Sequence, residues 1–170
     1  MSMQEKSFSL YGFQINIIQK SAFKAIGFTR FVKLDGRSIG VFLNELETSG
    51  KIKQLFETFN SPQQFWVCLS GNEGNNDYDC RCTVCIFPTE KHNLSNILEK
   101  ELFTINIPES YWADFIVGPD KTPKELHSHG VYEMVGEIGY KFNNKIGLHF
   151  DNEHEFESKR SMHFLLPVII

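Results

Sequence analysis

The sequence lacks several features that would place it in a common functional class. No apolar run approaches the roughly 18 residues that a transmembrane helix needs, and the polar N-terminus is not followed by the apolar segment of a secretory leader. The 17 Lys and Arg residues are scattered and the formal net charge is −4, whereas nucleic-acid binding needs clustered basic residues. We therefore expect a cytoplasmic protein that neither binds nucleic acid directly nor enters a membrane.

Motifs of common catalytic and metal sites are missing as well. No Ser-His-Asp or nucleophile-elbow pattern occurs, and Gly71–Gly74 lacks the Gly-Lys-Ser/Thr ending of a phosphate-binding loop. On a strand, Cys80 and Cys82 would face one side and Cys85 the other, so these thiols do not converge on a metal ion. We expect no metal or cofactor, and the sequence names no catalytic residue.

Aromatic residues, in contrast, are abundant. They make up 14% of the chain and include 16 Phe. A Phe-rich core is the simpler interpretation of this composition. The alternative is that several aromatic side chains line a ligand pocket, because such pockets are largely apolar and aromatic.

The second half of the chain predicts the element order strand-helix-strand-strand. Thr122, Pro123 and Glu125 form a capping box for a helix that should end near Gly139. The alternation of Phe103, Thr104 and Ile105 begins the first strand, which Pro108 interrupts. Strands are predicted over Phe103–Val117, Ile146–Phe150 and Met162–Ile170, and Glu155–Glu157 could also be extended.

The first half repeats this order, so the sequence predicts an α+β fold. Apolar residues at helical spacing predict a helix over Ser38–Phe59, kinked or split at Ser49-Gly50. Strands are predicted over Phe8–Ile18, Phe23–Leu34, Phe65–Leu69 and Cys80–Phe87. We interpret residues 1–170 as one domain of two repeats, at about 8–90 and about 101–170.

Short sequence motifs in these elements resemble those of GyrI-like effector-binding domains. Such domains occur alone or behind the DNA-binding helices of AraC-type and MerR-type multidrug-sensing activators. The motifs are, in chain order, Ala25-Ile26-Gly27 with Arg30, the strand Ile107–Phe115, the pair Phe156-Glu157 and the C-terminal Phe164–Val168. The resemblance covers nearly all of the chain from about Lys20. It implies two strand-helix-strand-strand repeats with pseudo-twofold symmetry and a central ligand cleft.

The resemblance also implies a central acidic residue, Glu157, on a strand that faces the cleft. A carboxylate in an aromatic cavity has lost its water, and a flat cation offsets this loss, with roughly 0.5–2 kcal/mol from each aromatic ring. Glu155 would face the same side of the strand and is the alternative, and an exposed strand acid is the other interpretation of Glu157. The Tyr of the family's motif is Lys159 here, which could neutralise Glu157 or turn outward.

Four aromatic residues complete the predicted ligand-binding set. Trp112 could form a wall of the cleft or pack in the core, and Trp66 could occupy the equivalent wall in the first repeat. Tyr140, just after the second helix, could offer a hydroxyl at the rim, and Phe156 precedes Glu157.

The resemblance therefore implies a stand-alone domain that binds an aromatic small molecule, cationic if the carboxylate is its partner. Its role would be transcription regulation or drug sensing and sequestration, and a regulator protein is a second partner that the resemblance allows. Two alternatives stay open. One is a hydrolase of strained cyclopropane-containing toxins, and the other is a protein-interaction module of gyrase-inhibitor type, with Glu153, Glu155 and Glu157 as an acidic edge.

Overall fold

The structure is a computed structural model that describes residues 5–35, 37–60, 64–88 and 100–170. The chain forms two compact units. The first unit combines the residues up to Ala22 with Pro108–Ile170, and the second unit is Phe23–Ile107. Each unit has an antiparallel sheet whose one face packs against helices, so the predicted α+β class is confirmed.

The strands are, in chain order, β1 (Lys6–Leu10), β2 (Phe13–Lys20), β3 (Phe23–Val32), β4 (Trp66–Gly71), β5 (Cys80–Ile86), β6 (Phe103–Ile107), β7 (Ser110–Val117), β8 (Lys141–Phe142), β9 (Leu148–Asp151) and β10 (Met162–Ile169). The helices are α1 (Arg37–Thr48), α2 (Lys51–Phe59), α3 (Pro123–His129), α4 (Val131–Glu137) and α5 (Phe156–Lys159), with a 3₁₀ turn at Glu153–Glu155. No helix of the described ranges is long and apolar enough to cross a membrane.

In the first unit the strand order is β1-β2-β7-β10-β9, and β8 pairs with β10. Alternate residues of the central strands, such as Ile15, Phe115 and Leu166, point into a core that the helices cover with side chains such as Leu126 and Met134. Because successive strand residues face opposite sides, the residues between them lie on the other face of the sheet.

In the second unit the strand order is β4-β5-β3-β6. Phe28, Val67 and Val84 point towards α1 and α2, where Phe42 and Leu55 complete the core. The predicted helix is split as expected, because Gly50 adopts a positive φ of 77° between α1 and α2.

Residues 103–117 form two strands rather than one interrupted strand. Phe103–Ile107 pairs with β3 in the second unit, whereas Ser110–Val117 pairs with β2 and β10 in the first unit. Pro108, which has no N–H to donate to a ladder, stands at the start of the segment that separates them.

The prediction that Glu155–Glu157 is extended is wrong. Glu155 ends the 3₁₀ turn and Glu157 lies in the short helix α5. The helical turn is stabilised locally, because the hydroxyl of Ser158 donates to the carbonyl of Glu155 and Lys159 Nζ lies 2.9 Å from Glu155 Oε2. Ion pairs of this spacing favour a helix.

Candidate functional site

An aromatic and acidic group lies on the face of the first unit's sheet that is opposite to its core. On β7, Ala113 and Phe115 belong to the core, so Trp112 and Asp114 point to the other face. On β10, Leu165 and His163 share that face, and Leu165 is directly paired with Phe150 of β9. We call these five residues, Trp112, Asp114, Phe150, His163 and Leu165, the Trp112 face.

Two aromatic rings form the apolar part of this face. Trp112 lies in the middle of the sheet, between Ile18 of β2 and Pro167 of β10. Its ring centroid is 5.8 Å from that of Phe150, with the planes tilted by 45°. Both side chains are fully buried. Rings at this distance interact favourably beyond the apolar area they bury.

A carboxylate and an imidazole form the polar part. His163 Nδ1 lies 2.9 Å from Asp114 Oδ1 and 3.2 Å from Oδ2, so the imidazole donates to the carboxylate. The side chain of Asp114 is 14% exposed and that of His163 is 38% exposed. The hydrogen bond to Asp114 raises the pKa of His163, and partial burial opposes this shift. The Asp114 carboxylate is therefore compensated by a partner that can lose its charge near neutral pH.

This arrangement suits the binding of a cation more than it suits covalent chemistry. A positive group placed at Asp114 would replace His163 as the partner of the carboxylate. Because the rings of Trp112 and Phe150 are fully buried, an aromatic part of the ligand contacts them only when the groups that cover them move aside. The described part of the chain contains no cluster of three His, Cys, Asp or Glu residues with the geometry of a metal site.

The two predicted acidic residues lie on the segment that follows β9. Glu157 is exposed on α5. The side chain of Glu155 is 11% exposed, and Lys159 pairs with it at 2.9 Å. Lys159 thus neutralises Glu155, not Glu157 as the sequence suggested. A ligand contact by Glu155 or Glu157 stays a prediction.

Two of the predicted aromatic residues pack in the core of the first unit, on the opposite side of the sheet from the Trp112 face. Tyr140 is 7% exposed and its ring meets Phe8 edge-on at 6.1 Å. Phe156 is 4% exposed, and the guanidinium of Arg160 lies 5.1 Å from its ring. The structure gives both residues a packing role, and their contact with a ligand also stays a prediction.

Trp66 belongs to an aromatic cluster in the second unit. Its neighbour Val67 points into the core, so Trp66 lies on the opposite face of that sheet. The half-buried indole stacks on Phe87 at 5.5 Å with an angle of 19°, and Phe87 meets Phe23 edge-on at 5.1 Å. Such a flat, partly exposed indole can stack on an aromatic ligand.

Sequence reasoning named Trp112, whose contact with a ligand stays a prediction, and did not name Asp114, Phe150 or His163. The signal for Asp114 was present, because a residue two positions from Trp112 on a strand must share its face. No comparable signal exists for Phe150 and His163, since the register between β9, β10 and β7 brings them to this face.

Comparisons with known proteins find solved structures that are similar to this chain. No protein-family model and no curated protein matches the sequence. SAV2435 bound to tetraphenylphosphonium matches with 14% identity and a TM-score of 0.63, over 98% of this chain and 94% of that chain. An integron cassette protein from the mobile metagenome of Vibrio cholerae matches with 14% identity and a TM-score of 0.56, over 91% and 95%. The EcmrR C-terminal domain matches with 12% identity and a TM-score of 0.56, over 92% and 98%.

At these identities the comparisons establish a shared fold. The match extends over nearly the whole chain, as the resemblance read from the sequence did. That resemblance is therefore confirmed at the level of the fold: this chain has the fold of the GyrI-like effector-binding domains.

Proposed function

We propose that this chain is a small-molecule-binding domain whose ligand is an aromatic cation, with Asp114 as the carboxylate that the cation meets. The observation that carries the proposal is the position of Asp114 on the same sheet face as the buried rings of Trp112 and Phe150. Support comes from the fold, because a structure that shares it was solved with tetraphenylphosphonium, an aromatic cation.

The physical basis is the balance between desolvation and charge pairing. Asp114 is largely removed from water, which penalises its charged form unless a cation lies nearby. His163 supplies that cation only while it is protonated. A permanent cation in its place would keep the carboxylate paired at any pH, and each ring in contact would add roughly 0.5–2 kcal/mol. A ligand contact by Trp66, which belongs to the second unit, is a separate proposal that comes from the sequence.

The biological role that we propose is the one implied by the sequence, namely sensing or sequestration of such compounds or transcription regulation in response to them, in the cytoplasm. The EcmrR C-terminal domain, which shares the fold, is one part of a longer chain that has been solved in a DNA complex. We also propose, on the same basis, that a regulator protein is a partner of this chain.

The test is a calorimetric titration with tetraphenylphosphonium and, in parallel, with triphenylphosphine oxide as a neutral analogue. We expect tetraphenylphosphonium to bind with a dissociation constant in the micromolar range and Asp114→Asn to weaken it by about tenfold or more, which corresponds to roughly 1.4 kcal/mol. Binding of the neutral analogue should change little, because it places no positive charge at the carboxylate.

Three acidic residues provide the comparison. Asp120→Asn makes the same change at an exposed turn of the same unit and should bind like the wild type. Glu157→Gln and Glu155→Gln test the residues that the sequence predicted. Equal affinity of Asp114→Asn and the wild type would refute our assignment, and a loss confined to Glu157→Gln or Glu155→Gln would move the cation to the 153–160 segment. Absence of binding by all proteins would remove the support for cation binding altogether.

A further inference from the structure

A second group of ionisable side chains lies in the first unit, on the helix-covered face of the sheet. It comprises His127 near the end of α3, His149 and Asp151 on β9, and Glu153 in the 3₁₀ turn, and we call these four residues the His-Asp cluster. The ring of Phe164 lies beside them. His149 stacks on it at 4.6 Å, and His127 meets it edge-on at 5.9 Å.

The contacts in the cluster tie α3 to the 3₁₀ turn. His127 Nε2 lies 3.0 Å from Glu153 Oε2, and both side chains are 45% exposed. Asp151 is only 9% exposed, and its Oδ1 accepts the backbone N–H of Glu153 at 3.1 Å. A buried carboxylate therefore lies close to an ion pair that is open to solvent.

The environment of each group sets its charge. Burial raises the pKa of Asp151 to about 7, although the hydrogen bond from the backbone N–H of Glu153 lowers it. The hydrogen bond to Glu153 raises the pKa of His127, against the effect of burial. Burial lowers the pKa of His149 to about 4, so this imidazole is neutral above that pH.

These pKa shifts give the cluster two different charge states around neutral pH. Below its raised pKa the His127 imidazole is positive and pairs with the Glu153 carboxylate, and Asp151 is protonated below about pH 7. As the pH rises through the raised pKa of His127 the imidazole loses its charge, and this happens later than for His127 alone because ionised Asp151 also raises that pKa. The ion pair between α3 and the turn is then lost, and a like charge appears beside Glu153.

We propose that the His-Asp cluster is a pH-sensitive latch, which holds α3 and the 3₁₀ turn together in slightly acidic solution and loosens above neutral pH. Other ionisable side chains lie near the cluster. Lys124 is exposed on α3. The others make contacts outside the cluster, and they are Glu125, His129, His154, Glu155, Lys159 and His163. The latch acts on the segment that carries Glu155, Phe156 and Glu157, and it does not depend on the proposed ligand.

Amide hydrogen exchange followed by NMR tests the latch, with rates corrected for the intrinsic effect of pH. The informative amides are those of Gly130, which donates to the carbonyl of His127, and Glu155, which donates to the carbonyl of Asn152. In the wild type we expect their protection to fall by about tenfold between pH 6 and pH 8. In His127→Gln the protection should be low at both pH values.

His129→Gln is the matched control at the amide of Glu155, where it should behave like the wild type, since it makes the same change two residues later on α3. The amide of Gly130 is not compared in this variant, because His129 precedes it and stacks on Tyr11. Equal protection of the wild type at pH 6 and pH 8, or the wild-type pH dependence in His127→Gln, would overturn the proposal. Should His127→Gln not fold, the carboxyl ¹³C shift of Asp151 in the wild type decides the matter. A midpoint between pH 6 and pH 8 supports the latch, and a midpoint below pH 5 excludes it.

Discussion

The pairing of Asp114 with His163 determines how the proposed site should respond to pH. The raised pKa of His163 means that the imidazole stays protonated somewhat above its ordinary range and competes with a ligand cation for Asp114. Above that pKa the imidazole is neutral and the carboxylate is left for the ligand. We therefore expect tetraphenylphosphonium to bind more tightly at pH 8 than at pH 6, by several-fold.

Replacement of the imidazole tests this explanation. In His163→Gln the side chain does not titrate, so the affinity for tetraphenylphosphonium should be the same at pH 6 and pH 8. Calorimetric titrations at both values measure the effect. If His163→Gln kept the wild-type pH dependence, another group would control binding, and the Asp114 assignment would lose its support from pH.

Gly27 belongs to the first sequence motif that resembles the GyrI-like domains, and close packing of the backbone requires a glycine there. A Cβ at this position would lie 1.8 Å from the carbonyl oxygen of Val84 and 2.6 Å from the Cα of Cys85. Overpacking typically costs about 1–3 kcal/mol, and backbone atoms cannot rotate away. We expect Gly27→Ala to lower the free energy of unfolding by roughly 3 kcal/mol or more, measured by urea denaturation.

Gly40 provides the control, because a Cβ there would meet nothing within 4 Å. It is exposed in α1, where Ala is favoured over Gly by about 0.5–1 kcal/mol. Gly40→Ala should therefore be slightly more stable than the wild type. Similar unfolding midpoints for Gly27→Ala and the wild type would show that β3 and β5 can separate to make room.

At the level of elements, the start of α3 depends on its capping box. The backbone N–H of Glu125 donates to Thr122 Oγ1 at 3.2 Å, and the backbone N–H of Thr122 donates to Glu125 Oε2 at 2.8 Å. Loss of an N-cap side chain typically costs about 1 kcal/mol, so Thr122→Ala should lower the free energy of unfolding by about that amount. Ser128→Ala, at an exposed position of the same helix, should stay within about 0.5 kcal/mol of the wild type. Equal stability of both variants in urea denaturation would contradict a capping role.

The elements that sequence reasoning predicted well are those with local signals. The capping box at Thr122 and the break at Ser49-Gly50 depend on a few neighbouring residues, and the structure confirms both. Residues 8–18, predicted as one strand, form parts of two, because Tyr11 and Gly12 adopt positive φ values of 53° and 81° and turn the chain.

The elements that were missed depend on partners distant in sequence. Around Glu155–Glu157, Asn152 Oδ1 accepts the backbone N–H of His163 at 2.6 Å, and Phe156 is buried in the core. These contacts help to decide the path of the segment and have no local pattern, whereas the i,i+4 pair of Glu155 and Lys159 is a local signal for the helical turn that sequence reasoning did not use. In the same way, the register between β9, β10 and β7 brings Phe150 and His163 to the face of Trp112, and no local pattern reports it.

At the level of the whole molecule, the fold is shared more widely than the side chains. SAV2435 matches over 98% of this chain at 14% identity. A shared fold at this identity does not transfer a binding site, because function depends on particular side chains in a particular geometry. The proposal of an aromatic cation as ligand therefore rests on Asp114, Trp112 and Phe150 of this chain, with the fold as support.

The most direct test of this account is a crystal structure of the chain with tetraphenylphosphonium. We predict that the phosphonium centre lies within about 6 Å of the Asp114 carboxylate, the range over which opposite charges stabilise each other strongly, with a phenyl ring against Trp112 or Phe150. A phosphonium bound against Glu155 or Glu157, with Asp114 still paired only to His163, would contradict the account and favour the carboxylates predicted from the sequence.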